Sequence, residues 1–233
     1  MKYTEGLVHG FLVLRTLEGT PIADGDLTQV AHGGRITSHL VFHFRDGSIH
    51  DETAVFTQRG HFQLVSHHLV QKGPSFKRAI ETTLNTSKNQ FTVRYTDDDG
   101  KEKVLDPEVK VPDDLANGLV FTLLKNLDLN ATRSYTVSYM VATPKPRFVK
   151  FVITPQGEEP FSIGASARKA NHFAIKVDIG GAAGLVAPIL GKQPPDIHVW
   201  VSQGEAPTFV KSEQPLYEGG PVWRIELATP NRQ

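Results

Sequence analysis

Apolar and polar residues alternate most regularly from Arg35 to Gln71, RITSHLVFHFRDGSIHDETAVFTQRGHFQLVSHHLVQ. A period of two puts successive side chains on opposite faces of a pleated strand, so this stretch predicts three antiparallel strands. Two-residue turns at Asp46-Gly47 and Arg59-Gly60 join them, because glycine tolerates the positive φ such turns require. Arg45 then lies opposite Ser48, and Gln58 opposite His61. That register sends Ile36, Ser38, Leu40, Phe42, Phe44, Ile49, Asp51, Thr53, Val55, Phe62, Leu64, Ser66, His68 and Val70 to a buried face. Thr37, His39, Val41, His43, His50, Glu52, Ala54, Phe56, Gln63, Val65, His67 and Leu69 take the outer face. The assignment depends on loop length, since one extra residue in a loop or a bulge exchanges the faces beyond it.

The same alternation predicts strands at Gly6 to Leu17, Asp26 to Val30, Arg78 to Leu84 and Gln90 to Tyr95 in the first half. The second half adds Tyr135 to Val141, Phe148 to Ile153, Phe161 to Ala167, Phe173 to Ile179, Ile197 to Val201, Thr208 to Lys211 and Val222 to Leu227. Thr143-Pro144-Lys145-Pro146, Pro155-Gln156-Gly157 and Gly219-Gly220-Pro221 read as the turns between them. One helix stands out, about 113–127, where Leu115, Leu119, Leu123 and Leu127 recur every four residues beside Val120 and Leu124. No repeat and no linker of distinct composition interrupts residues 1–233, which read as a single β-rich domain.

Within that layout, two constellations carry chemistry. On the predicted buried face Asp51 falls opposite His68 with Ser66 and Ser38 nearby, which assembles a hydrolytic set: Asp51 orienting, His68 as base, a serine as nucleophile. The structural reading of the same residues is a mutually satisfied buried pair, the usual state of buried polar groups. On the outer face His43 opposes His50 and Glu52 opposes His67, a donor set suited to a single divalent metal such as zinc. His39 cannot join His43 on one ion, because four residues along a strand span roughly 13 Å. A solvated sheet face accounts for these histidines without a metal.

About twelve strands in meander order, one amphipathic helix from Pro112 to Leu127, and Trp200 and Trp223 in late strands together resemble the half-barrel envelope proteins related to the bacterial lipoprotein carrier LolA, in particular the DUF3108-like group. The resemblance implies a strongly curved antiparallel sheet, a half-barrel with its helix packed on it, whose concave face receives acyl chains. The expected function is a periplasmic or secreted binding protein holding an apolar or amphipathic, lipid-like small molecule, with Leu40, Phe42, Phe44, Leu64 and Trp200 as ligand-binding residues and no cofactor. The alternative is an enzyme, either the Asp51/His68/Ser66 hydrolase or the His43/His50/Glu52/His67 metalloenzyme.

Composition narrows the partners. Lys+Arg 25 balance Asp+Glu 25 for a formal charge of +0, and no basic run is interleaved with aromatics, so nucleic acid is not an expected partner. With Cys 0, disulfides, thiolate catalysis and cysteine-bound zinc are excluded. The longest near-apolar run, Ile179 to Leu190, is interrupted by Pro188 and falls short of the ~20 residues a membrane helix needs. Met1 to Glu5 carries no apolar leader. Either the protein is cytosolic or its leader has been removed, and the expectation here is the second, an exported, envelope-associated protein.

Overall fold

In the computed structural model, which describes residues 2–127, 134–163, 166–180, 193–204 and 206–228, the alternation becomes fourteen strands and one α-helix. The strands are β1 (Val8–Arg15), β2 (Pro21–His32), β3 (Arg35–Phe44), β4 (Ile49–Arg59), β5 (His61–Lys72), β6 (Ile80–Asn85), β7 (Gln90–Thr96) and β8 (Glu102–Leu105). After the helix α1 (Val120–Asn126) come β9 (Tyr135–Val141), β10 (Arg147–Ile163), β11 (Ser166–Asp178), β12 (Ile197–Ser202), β13 (Phe209–Gln214) and β14 (Trp223–Leu227). All belong to one antiparallel sheet. Its order, β8-β7-β6-β5-β4-β3-β2-β1-β14-β13-β12-β11-β10-β9, has no ladder between its two ends among the described residues. Two meanders are thus joined where the chain's first and last strands pair, Leu12 opposite Leu227 and Leu14 opposite Ile225.

The sheet is strongly curved, because residues from opposite ends meet in one cluster. Leu84, Phe91 and Val93 of β6 and β7 pack with Met140 of β9, and Leu115, Ala116 and Leu119 lie between them. Phe151, Phe173, Ile175 and Val199 form a second cluster around Leu124 of the helix. Leu14, Phe42, Phe44, Trp223 and Ile225 form a third in the middle of the sheet. The architecture is a mostly-β half-barrel with the segment from Pro112 to Leu127 wedged into its concave side.

That wedge is less helical than its leucine spacing predicts. Only Val120–Asn126 forms α-helix. Before it, Leu115 makes a parallel bridge to Ser138, the Ala116 N–H donates to the Ser138 carbonyl at 2.9 Å, and the Asn117 side chain bonds both the N–H and the carbonyl of Met140. Gly118 adopts φ +68, and a Cβ there would sit 2.4 Å from the Ala54 Cβ. The Asp114 carbonyl, the Ala116 N–H and the Asn117 side chain find partners on the edge of β9, which outweighs helix propensity. Burying each leucine stabilises by roughly 1.5–3 kcal/mol whether or not the segment is helical.

Other expectations shift similarly. Pro155-Gln156-Gly157 is no turn: β10 passes through it, with a register shift between Pro155 and Gly157 that absorbs the extra residue. Phe161 to Ala167 is not one strand, since Ser162 lies opposite Ala167 on the neighbouring strand. The apolar run Ile179 to Leu190 lies mostly outside the described residues. No helix among the described residues is long and apolar enough to cross a membrane.

Candidate functional site

The central hairpins decide which side chains reach the concave face. β3 presents Ile36, Ser38, Leu40, Phe42 and Phe44 inward, as its alternation predicts. The following loop has three residues rather than two: the Phe44 N–H donates to the Ser48 carbonyl, the Gly47 N–H donates to the Phe44 carbonyl, and Gly47 takes φ +83. His43 therefore pairs with Ile49 and Phe42 with His50, and every β4 residue is on the face opposite to the one a two-residue turn implies. At the next hairpin Arg59 lies opposite His61 across Gly60, which reverses the parity again and leaves Leu64 inward. A bulge then separates Phe56↔Leu64 from Val55↔Ser66, with Val65 as the extra residue, so His67, Leu69 and Gln71 face inward as well.

The proposed hydrolytic set is thereby moved to the convex face. Asp51 pairs in register with Val70, not His68, and its carboxylate lies 2.9 Å from His39 Nε2. His68 lies opposite Thr53, its Nε2 2.9 Å from Glu81, with both side chains 42% exposed. Ser66 faces Val55 and Asn85 on the same surface. The three share a face, but Asp51 orients His39 instead of His68, so the geometry that a hydrolase would require is not formed.

The metal quartet is also divided. His43 is exposed on the convex face, whereas His50, Glu52 and His67 turn inward. Among the described residues no group of three His, Asp or Glu is arranged to hold a metal ion. One nitrogen of each histidine is engaged, His67 Nε2 with Glu52 Oε1 at 2.8 Å and His50 Nδ1 with Gln71 at 3.0 Å, while His67 Nδ1 and His50 Nε2 have no partner among the described residues. Of the five residues expected to touch a ligand, Leu40 lines the concave cavity, while Phe42, Phe44 and Leu64 are packed within its wall. Trp200 is on the convex side, stacked on His172 at 4.3 Å, capped by Lys211 Nζ at 4.0 Å, and donating its indole N–H to Glu159 at 2.7 Å.

The cavity occupies about 510 Å³ between the sheet and the wedge. Its apolar walls come from both meanders, with Leu12, Leu27, Leu40 and Leu69 on one side and Val149, Phe151, Ile175, Val177 and Ile197 on the other. Phe121 of the helix faces it in ring contact with Phe209 at 4.7 Å. Arg147 and Glu218, ion-paired and 49% and 44% exposed, mark its solvent side.

Polar side chains interrupt these walls, among them Ser38, His50, Glu52, Gln71, Asn117 and Tyr139. The Gln71 amide nitrogen donates to the Leu216 carbonyl at 2.7 Å and lies 3.0 Å from His50 Nδ1. An amide N–H only donates, so Nδ1 accepts and the imidazole proton sits on Nε2, which has no partner among the described residues. Burial holds the His50 pKa below its ordinary value, consistent with a neutral ring, against the opposing pull of Glu52. For Glu52, burial alone would raise the carboxyl pKa; the hydrogen bond from His67 and the nearby imidazoles outweigh it and keep it low. His67 is not in the cavity wall and its side chain is 1% exposed, so it stands behind Glu52 and positions it. Burial, with the charge of Glu52 adding to it, pushes the Tyr139 hydroxyl up, so Tyr139 keeps its proton.

Gln71 and Tyr139 escape sequence reasoning. The first depends on a bulge no residue pattern marks, and the second comes to share a cavity with Glu52 only through curvature of the whole sheet.

The family model for DUF3108, described as a protein of unknown function, matches residues 20–220. A crystal structure titled as a beta-barrel-like protein of domain of unknown function DUF1849 from Brucella abortus superposes with a TM-score of 0.51 at 9% identity, covering 97% of this chain and 98% of that one. At that identity the likeness concerns the fold alone. No curated protein matches in sequence. With a match across most of its length and a half-barrel whose ends both pack on one inserted segment, this chain belongs to the DUF3108 family.

Proposed function

We propose that this protein binds an apolar or amphipathic small molecule in its concave cavity. One observation carries the reading: a space of about 510 Å³ walled by aliphatic and aromatic side chains from both meanders and the helix, a size ordinary for small-molecule sites. Each methylene transferred there from water contributes about 0.8 kcal/mol, enough for a short acyl chain to bind without any polar contact. Arg147 and Glu218 satisfy each other at the solvent side, so the approach carries no strong net charge. A periplasmic or secreted location, with a role at the envelope, goes with this proposal, and fractionation of cells producing the native gene tests it.

The binding test is a fluorescence titration with the neutral probe N-phenyl-1-naphthylamine. Saturable binding at one site per chain is expected, with loss of most of the signal in Leu40→Trp and Val149→Trp, whose larger side chains fill the cavity. Absence of saturable binding by the folded wild-type protein would remove the proposal. Native mass spectrometry of the purified protein then reports any co-purifying lipid.

A further inference from the structure

The polar groups of the cavity are sorted by what they offer. His50, whose side chain lines the cavity, contributes a donor at Nε2 that is buried and has no partner among the described residues. Tyr139 contributes a hydroxyl that forms no hydrogen bond within the described residues. Glu52 contributes a carboxylate, with one oxygen held by His67 at 2.8 Å and its side chain still 17% exposed. These groups come from opposite meanders, β4 and β9, yet line one and the same cavity. A buried donor without a partner is costly, which makes this cluster the place where a bound polar group would gain most.

We propose that the cavity's ligand is amphipathic with an uncharged hydroxyl-bearing head, its oxygen accepting from His50 and Tyr139 and its proton given to Glu52, while its chain lies along the aliphatic walls. The inference rests on the binding reading above and adds the chemistry of the head. A carboxylate head matches the two donors but meets the Glu52 charge, and no described side chain in the wall is free to neutralise both, since Arg147 is paired with Glu218. An ammonium head matches Glu52 but accepts from neither donor. A hydroxyl satisfies both kinds of group at once.

Displacement of N-phenyl-1-naphthylamine at pH 8 by decan-1-ol, decanoate and decylamine, three ligands with one chain and different heads, decides the matter. Decan-1-ol is expected to bind at least about tenfold more tightly than either charged analogue, the size of one good hydrogen bond to a charged group. The Glu52→Gln variant is expected to reduce the preference for decan-1-ol over decanoate by about tenfold, because the repelling charge is gone while the side-chain shape is kept. If the probe binds and decanoate or decylamine displaces it as well as decan-1-ol does, the head-group inference is overturned and the cavity reading stands. If the probe itself does not bind, the cavity reading fails and this inference with it. The wild-type series is decisive even if the variant folds poorly.

Discussion

His67 and Glu52 meet at 2.8 Å although the sheet register does not oppose them: His67 lies across from Ala54, and Glu52 across from Leu69. The contact is a diagonal one on the inner face, with the small Ala54, two residues along β4 from Glu52, directly opposite His67. It turns an acidic side chain that would otherwise repel an apolar wall into an anchored component of the cavity.

Removing this imidazole should expose how much the carboxylate depends on it. His67→Ala leaves the Glu52 carboxylate in a mostly apolar setting without its donor and is expected to destabilise the fold by roughly 3 kcal/mol, whereas Glu52→Gln, which keeps an acceptor oxygen, should cost about 1 kcal/mol. Urea unfolding of the two variants checks the difference. Equal costs would mean that the hydrogen bond is not the feature that matters.

Acid should weaken the protein in two stages. His50 is held below its ordinary 6.5 chiefly by burial, with His67 adding to the shift and Glu52 and Asp51 opposing it, so between its native pKa and 6.5 the unfolded chain binds more protons than the folded one. Its contribution is complete above pH 6.5 and declines as the pH falls below it. Glu52, held below 4.5, adds a second decline below that value. His172 on the convex face is lowered too, again chiefly by burial, and contributes in the same direction as His50. Unfolding free energies from pH 8 to pH 4 should therefore flatten between pH 7 and 5 in a His50→Gln, His172→Gln double variant relative to wild type, and an unchanged profile would contradict the assignment.

Asp51 and His68 should matter little. Both lie on the convex surface in partly exposed pairs, with His39 and with Glu81, and such pairs are typically worth less than about 1 kcal/mol. Alanine at either position is expected to shift stability by about 0.5 kcal/mol and to leave probe binding unaltered, as thermal melts and the fluorescence titration would show. A large loss would place them in contacts this surface does not have.

Gly118 is the position where the wedge is least tolerant. Its φ of +68 disfavours any L side chain, and an added methyl would lie 2.4 Å from the Ala54 Cβ, beside the Glu52 carboxylate. Gly118→Ala is expected to cost about 2–4 kcal/mol from overpacking and backbone strain combined and to weaken probe binding by shifting the wedge out of the sheet. Gly19→Ala, also at positive φ but with nothing within 4 Å, separates the backbone contribution from the steric one.

The sequence by itself determined the class of this fold: period-two alternation, glycine at the turns and one leucine-rich segment suffice for a curved antiparallel sheet with a packed insert, and the inner set of β3, from Ile36 to Phe44, follows from alternation alone. It also contained the histidines and carboxylates of the central hairpins, but not their faces. Those were decided by Gly47 closing a three-residue loop, by Gly60, and by the bulge at Val65, each a change of a single residue that inverts every side chain beyond it. Only the tertiary structure could bring Tyr139 into one cavity with Glu52, Met140 to Leu84 and the leucines of one short segment to both meanders, because curvature is a property of the whole sheet and leaves no mark on any local pattern of residues.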